Sequence, residues 1–69
     1  MKIKLFVQAP DLHRFLTGKS KTLSANVYQD TPYNIEIEVD LDKTKLTPSG
    51  FGSVATFYVI SRKAGWKGA

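Results

Sequence analysis

A mainly β domain with one short helix is what this sequence predicts, and three stretches carry the prediction. In "KIKLFVQ" and in "YNIEIEVDLD" an aliphatic residue recurs at every second position, the period of a half-buried strand. In "VATFYVISR" β-branched and aromatic residues crowd both faces, as in a strand that is central or doubly covered.

Taken in order, the first strand sets Ile3, Leu5 and Val7 on one side and Lys2, Lys4, Phe6 and Gln8 on the other, and Pro10 stops it. "PDLHRFLTG" then places a proline and an aspartate at a helix start and Gly18 at its end. Leu12, Phe15 and Leu16 share one face at spacings of three and four, which predicts a helix of two turns. Gly18 to Lys21 reads as a basic loop. Leu23 to Gln29 reads as a second strand, with Leu23, Ala25 and Val27 on one face. "TPY" is a turn, because Pro32 fixes its own φ and biases Thr31 toward extended geometry, so strands two and three form a hairpin about "DTPY". Tyr33 to Leu41 is the third strand. "DKTKLTPSGFGS" has the Pro, Ser and Gly content of a long connection, and Val54 to Arg62 is the fourth strand. The domain thus spans residues 1–62, and "KAGWKGA", residues 63–69, forms a flexible basic tail. Four strands and one helix make a small antiparallel sheet. It either curls into an OB-like or SH3-like barrel or packs one face on the helix.

A chain of 69 residues makes one domain and buries only roughly 60% of its unfolded surface. It contains no cysteine, which removes disulfides and thiolate chemistry and fits an intracellular, cytoplasmic setting. "MKIKLFVQAPDLH" has too short an apolar run for a signal peptide, and no stretch reaches the roughly 20 apolar residues that span a bilayer. A soluble chain with no membrane partner is expected.

Ten Lys and Arg against six Asp and Glu give a formal charge of +4 and a pI near 9.6. The charges fall in blocks. Residues 1–25 carry five bases and only Asp11; residues 26–42 carry Asp30, Glu36, Glu38, Asp40 and Asp42 with no base; residues 43–69 carry five bases and no acid. Acids on one strand face can form a cross-strand ladder with Lys2 and Lys4 or guard a sheet edge against aggregation. The functional alternative is that they bind a basic protein surface or keep nucleic acid off that face.

Catalytic signatures are missing. His13 is the only histidine, and alone it assembles neither a zinc site nor a nucleophile triad. Glu36 and Glu38 point outward from a strand, and a general acid needs a desolvated pocket. "PSGFGS" matches neither a P-loop nor a dinucleotide fingerprint. The expectation is a non-enzyme without cofactor or metal.

Bases and rings carry the functional signal. Single-stranded nucleic acid is bound where bases stack on aromatic faces and Lys or Arg follow the phosphates. Here the candidate phosphate contacts are Lys19, Lys21, Lys43, Lys45, Arg62, Lys63 and Lys67, and the candidate stacking rings are Tyr28, Tyr33, Phe51 and Trp66. Phe57 and Tyr58 read as packing residues.

The run "GKSKTLSANVYQDTPYNIEIEVDLD", followed by "TPSG" and a segment ending "SRKA", resembles the small single-stranded-DNA-binding proteins of filamentous phages over residues 18–50. That resemblance implies an OB-fold dimer whose DNA-binding wing corresponds to Gly18–Leu23. Ser20 and Lys21 stand where the family tends to have proline and an aromatic, and Pro32-Tyr33 reverses the family's order. The expected function is therefore a module for single-stranded DNA or RNA. The alternative is a small regulator or inhibitor of phage or viral type, acting on a host protein through an exposed strand or the acidic face. The rings assigned to stacking could equally form a homodimer interface.

Overall fold

The structure, a computed structural model, describes residues 1–50 and 57–66. Among these it has strands β1 (Lys2–Val7), β2 (Thr22–Asn26), β3 (Ile35–Asp40), β4 (Thr44–Pro48) and β5 (Phe57–Arg62), and helix α1 (Ala9–Leu16). The mainly β class with one short helix is as the sequence predicts. The strands form one antiparallel sheet in the order β3-β1-β2-β5-β4.

Helix α1 begins and ends where its sequence dictates. Pro10 lies in its first turn, and Asp11 there pairs with Arg14 one turn later. Gly18 has a φ of +82°, beyond the helix end, a conformation only glycine adopts without penalty. The amides of Lys19 and Ser20 close back on the Arg14 carbonyl. Phe15 is buried and Leu12 half-buried, while Leu16 lies exposed at the rim.

Two ladders build the sheet. β1 and β3 pair over six residues, and β2, β5 and β4 pair over five. Only Phe6↔Asn26 and Val7↔Ala25 join the two. This short overlap staggers the ladders, and the chain connects the outermost strands: β3 and β4 sit at opposite edges yet only residues 41–43 separate them. The sheet must therefore curl until its edges approach at one corner. There Leu41 N–H donates to the Met1 carbonyl, Lys43 N–H and the Thr44 hydroxyl donate to the Asp40 carbonyl, and Lys63 N–H donates to the Lys43 carbonyl. β3 and β4 do not pair, so the curl stays open.

Three expectations change. β2 and β3 do not form a hairpin: β1 takes the place beside β3, matching Lys2 to Asp40, Lys4 to Glu38, and Ile3, Leu5 and Val7 to Val39, Ile37 and Ile35. The "DTPY" turn survives only as an Asp30↔Tyr33 bridge. The expected long connection after Asp42 contains a fifth strand, β4. β2 ends at Asn26 rather than Gln29, because the buried Asn26 side chain accepts from Tyr28 N–H and bends the chain. Val54–Thr56 of the expected fourth strand lie outside the described residues.

The core is Leu5, Val7, Phe15, Leu23, Ala25, Val39 and Ile60. Each large aliphatic so buried contributes about 1.5–3 kcal/mol.

Candidate nucleic-acid interface

Register fixes where the lysines lie. Thr22, Ser61 and Lys45 form one row across β2, β5 and β4, and Lys45 is exposed on the outer face while Thr44 and Leu46 turn inward. Lys21, Lys43 and Lys63 flank that same end, immediately before β2, before β4 and after β5. Lys19 stands two residues upstream in the exposed loop after α1. All five are exposed, and among the described residues none forms an ion pair.

Glu36, Glu38 and Asp40 lie on the other ladder and Asp42 just beyond it, whereas Asp11, paired with Arg14, lines a cleft with Thr22 and Ser24, and Asp30 bridges Tyr33. Lys2 lies 3.6 Å from Glu38, and the N-terminal ammonium lies 3.2 Å from Asp42 and 3.8 Å from Asp40. A hydrogen bond from Asp42 N–H, helped by the charges of the N-terminus, Lys43 and Lys2, holds the Asp40 carboxyl below the usual aspartate range. Lys43 thus spends part of its field on Asp40. Of the five lysines at this end, Lys19, Lys21, Lys45 and Lys63 remain without a carboxylate partner among the described residues.

Rings lie beyond the lysine row. Ser49, Phe57 and Asn26 form a row two steps past Thr47, Val59 and Ser24, roughly 13 Å from the Lys45 row at about 3.3 Å per residue. Tyr33 meets Phe57 edge-on, with centroids 5.3 Å apart. Ser24, Tyr33, Ser49 and Phe57 enclose a cleft of about 220 Å³. Tyr28 is 67% exposed. This outer face combines a cationic end with aromatic and hydroxyl groups, the chemistry that holds phosphates and bases together.

Other candidates are placed elsewhere. Arg62 and Trp66 turn to the helix side: the guanidinium packs on Phe15 and Trp66, and the two rings stack at 6.2 Å. Trp66, expected in the tail, lies against the core. Phe51 and Lys67 lie outside the described residues. Phe57, expected to pack, is half-buried against Tyr33 and also lines the outer cleft with Ser24 and Ser49, two residues the sequence did not single out. The available signal was the alternation of "TKLT", with Lys45 and Thr47 outward and Leu46 inward.

On the helix side an apolar cleft of about 330 Å³ opens between α1 and β3, with Leu12, Leu16, Ile37, Val39 and Trp66 among its walls and Glu38, Asp40 and Lys43 at its rim. Among the described residues no group of His, Asp and Glu is placed to hold a metal ion, and no helix is long and apolar enough to cross a membrane. No family model, curated protein or solved structure matches this chain.

Proposed function

We propose that this protein is a non-enzymatic, intracellular module that binds single-stranded DNA or RNA across the outer face of β2, β5 and β4. Lys19, Lys21, Lys45 and Lys63 contact phosphates, and the Tyr33–Phe57 cleft and Tyr28 receive bases. The observation that carries this reading is the separation of charge. The acids of β3 lie beside Lys2 and Lys4, whereas the lysines around the β2–β5–β4 end have no carboxylate within ion-pair distance among the described residues. Unpaired cations of this kind gain most from neutralising phosphate, because binding releases condensed counterions.

Fluorescence polarisation of a labelled thymidine oligonucleotide, measured over a series of salt concentrations, tests the reading. Four phosphate contacts on a single strand give a log–log slope of roughly −3. Lys45→Ala and Lys63→Ala each flatten that slope, and Lys2→Ala leaves it unchanged. Binding insensitive to salt, or a slope equally sensitive to Lys2, overturns the proposal.

A further inference from the structure

Among the described residues the outer edge of β3 pairs with no strand, and it combines three features. The first is backbone. Leu41 N–H bonds to the Met1 carbonyl, which fixes the alternation of the β1–β3 ladder. Ile35, Ile37 and Val39 turn their amides and carbonyls toward β1, and Glu36 and Glu38 turn theirs to the open edge. The second is charge. Glu36 faces Phe6 rather than a base across the ladder, and Glu38 is exposed, with Lys2 at 3.6 Å. The third is the apolar cleft on the opposite face of the same strand, where Ile37 and Val39 look toward Leu12, Leu16 and Trp66.

We propose that this edge docks an extended protein segment in which lysine or arginine alternates with an aliphatic residue, added antiparallel as a further strand. Its two bases lie opposite Glu36 and Glu38 on the outer face, and the aliphatic residue between them enters the cleft beside Ile37. β1 already satisfies β3 in this manner on its other side, with Lys2 and Lys4 opposite Asp40 and Glu38 and Ile3 and Leu5 on the inner face. Strand addition of this kind takes affinity from backbone bonds and selectivity from alternate side chains. A second copy of β3 is a poor occupant, because like charges would face one another. The β4 edge is a poor acceptor because Pro48 lacks an amide proton.

Trp66 is the chain's single tryptophan and lines the cleft, so its fluorescence reports occupancy. An end-capped Lys-Ile-Lys-Ile-Lys peptide is titrated into the full chain, with no nucleic acid present, so the outcome is independent of the preceding proposal. A saturable change in Trp66 emission is expected. N-methylation of the peptide's lysine backbone nitrogens keeps its charge but removes ladder bonds, and lowers affinity about tenfold. Glu36→Pro removes an outward-facing amide without breaking a β1–β3 bond, and weakens binding likewise. Equal affinity for the N-methylated peptide, or no saturable binding, overturns the proposal. So does self-association of the protein alone that Glu36→Pro dissolves, which assigns the edge to a second copy.

Discussion

The guanidinium of Arg62 lies 4.5 Å from the centroid of the Phe15 ring and also donates from Nη2 to the backbone carbonyl of Phe15. Trp66 lies 5.0 Å from the same guanidinium. One side chain thus ties the end of β5 to the last turn of α1 and to the segment that follows β5. The Nε of Arg62 is buried with no hydrogen-bond partner among the described residues, which offsets part of the gain. Arg62→Ala is expected to lower unfolding free energy by about 2 kcal/mol, through the lost cation–π contacts and the orphaned carbonyl. Arg62→Lys should cost less, since it keeps the charge but not the planar fork. Urea denaturation measures both. A variant with unchanged midpoint and a flattened oligonucleotide salt slope would make Arg62 a phosphate contact instead of a strut.

Asp40 gives the corner where β3 passes toward β4 an acid-sensitive fastening. Its oxygen accepts from Asp42 N–H, and this bond, with the neighbouring positive charges, lowers its pKa from 3.8. A carboxyl whose folded pKa is depressed adds stability that is present above the unfolded value and is lost as pH falls through the folded value. The thermal midpoint should therefore decline below about pH 4 partly through this group. In Asp40→Asn the midpoint at pH 7 should be lower and the acid decline shallower. Parallel acid profiles for the two proteins would remove Asp40 from the corner.

Much of this architecture is legible in the sequence. Ile3, Leu5 and Val7, and Ile35, Ile37 and Val39, announce β1 and β3 by alternation alone, and their interleaved charges anticipate the ladder that pairs them. Gly18 marks the helix end because only glycine takes its φ cheaply. β4 escaped because it puts a single aliphatic, Leu46, on the inner face and ends in a proline. That β2 and β3 do not form a hairpin was not legible. A turn at Asp30–Tyr33 suggests that its flanking strands pair, yet which strand lies beside β3 is decided by a match with β1, far off in sequence. For the site, exposed lysines were readable from composition. The inward turn of Arg62 and the outward face of Phe57 depend on register, which no local pattern states.

Pro48 explains how a proline ends an edge strand without disrupting it. Ser49 N–H donates to the Phe57 carbonyl and Lys63 N–H to the Lys43 carbonyl. The odd-numbered residues of β4 therefore bond to β5, and Pro48 faces its missing amide proton outward. Pro48→Val restores an outward donor and a good strand former, so it should leave unfolding free energy within about 1 kcal/mol while promoting self-association. Static light scattering across a concentration series checks this. Equal scattering from both proteins would leave Lys45 as the residue that blunts the edge.

Tyr33 and Trp66 should separate binding from stability. Tyr33 is half-buried and meets Phe57 at the outer cleft, whereas Trp66 covers Phe15 and Arg62 on the helix side. Stacking on one base is worth about 1–3 kcal/mol, so Tyr33→Ala should weaken oligonucleotide binding by about 5- to 150-fold. Its effect on the urea midpoint should be small. Trp66→Ala should reverse the pattern, lowering the midpoint because it uncovers a core ring and a guanidinium. Its affinity, measured by polarisation below its own unfolding transition, should stay within about twofold, a change worth less than 0.5 kcal/mol. If Trp66→Ala abolishes oligonucleotide binding in a folded protein while Tyr33→Ala does nothing, the interface lies on the helix side and the β2–β5–β4 face must be given up.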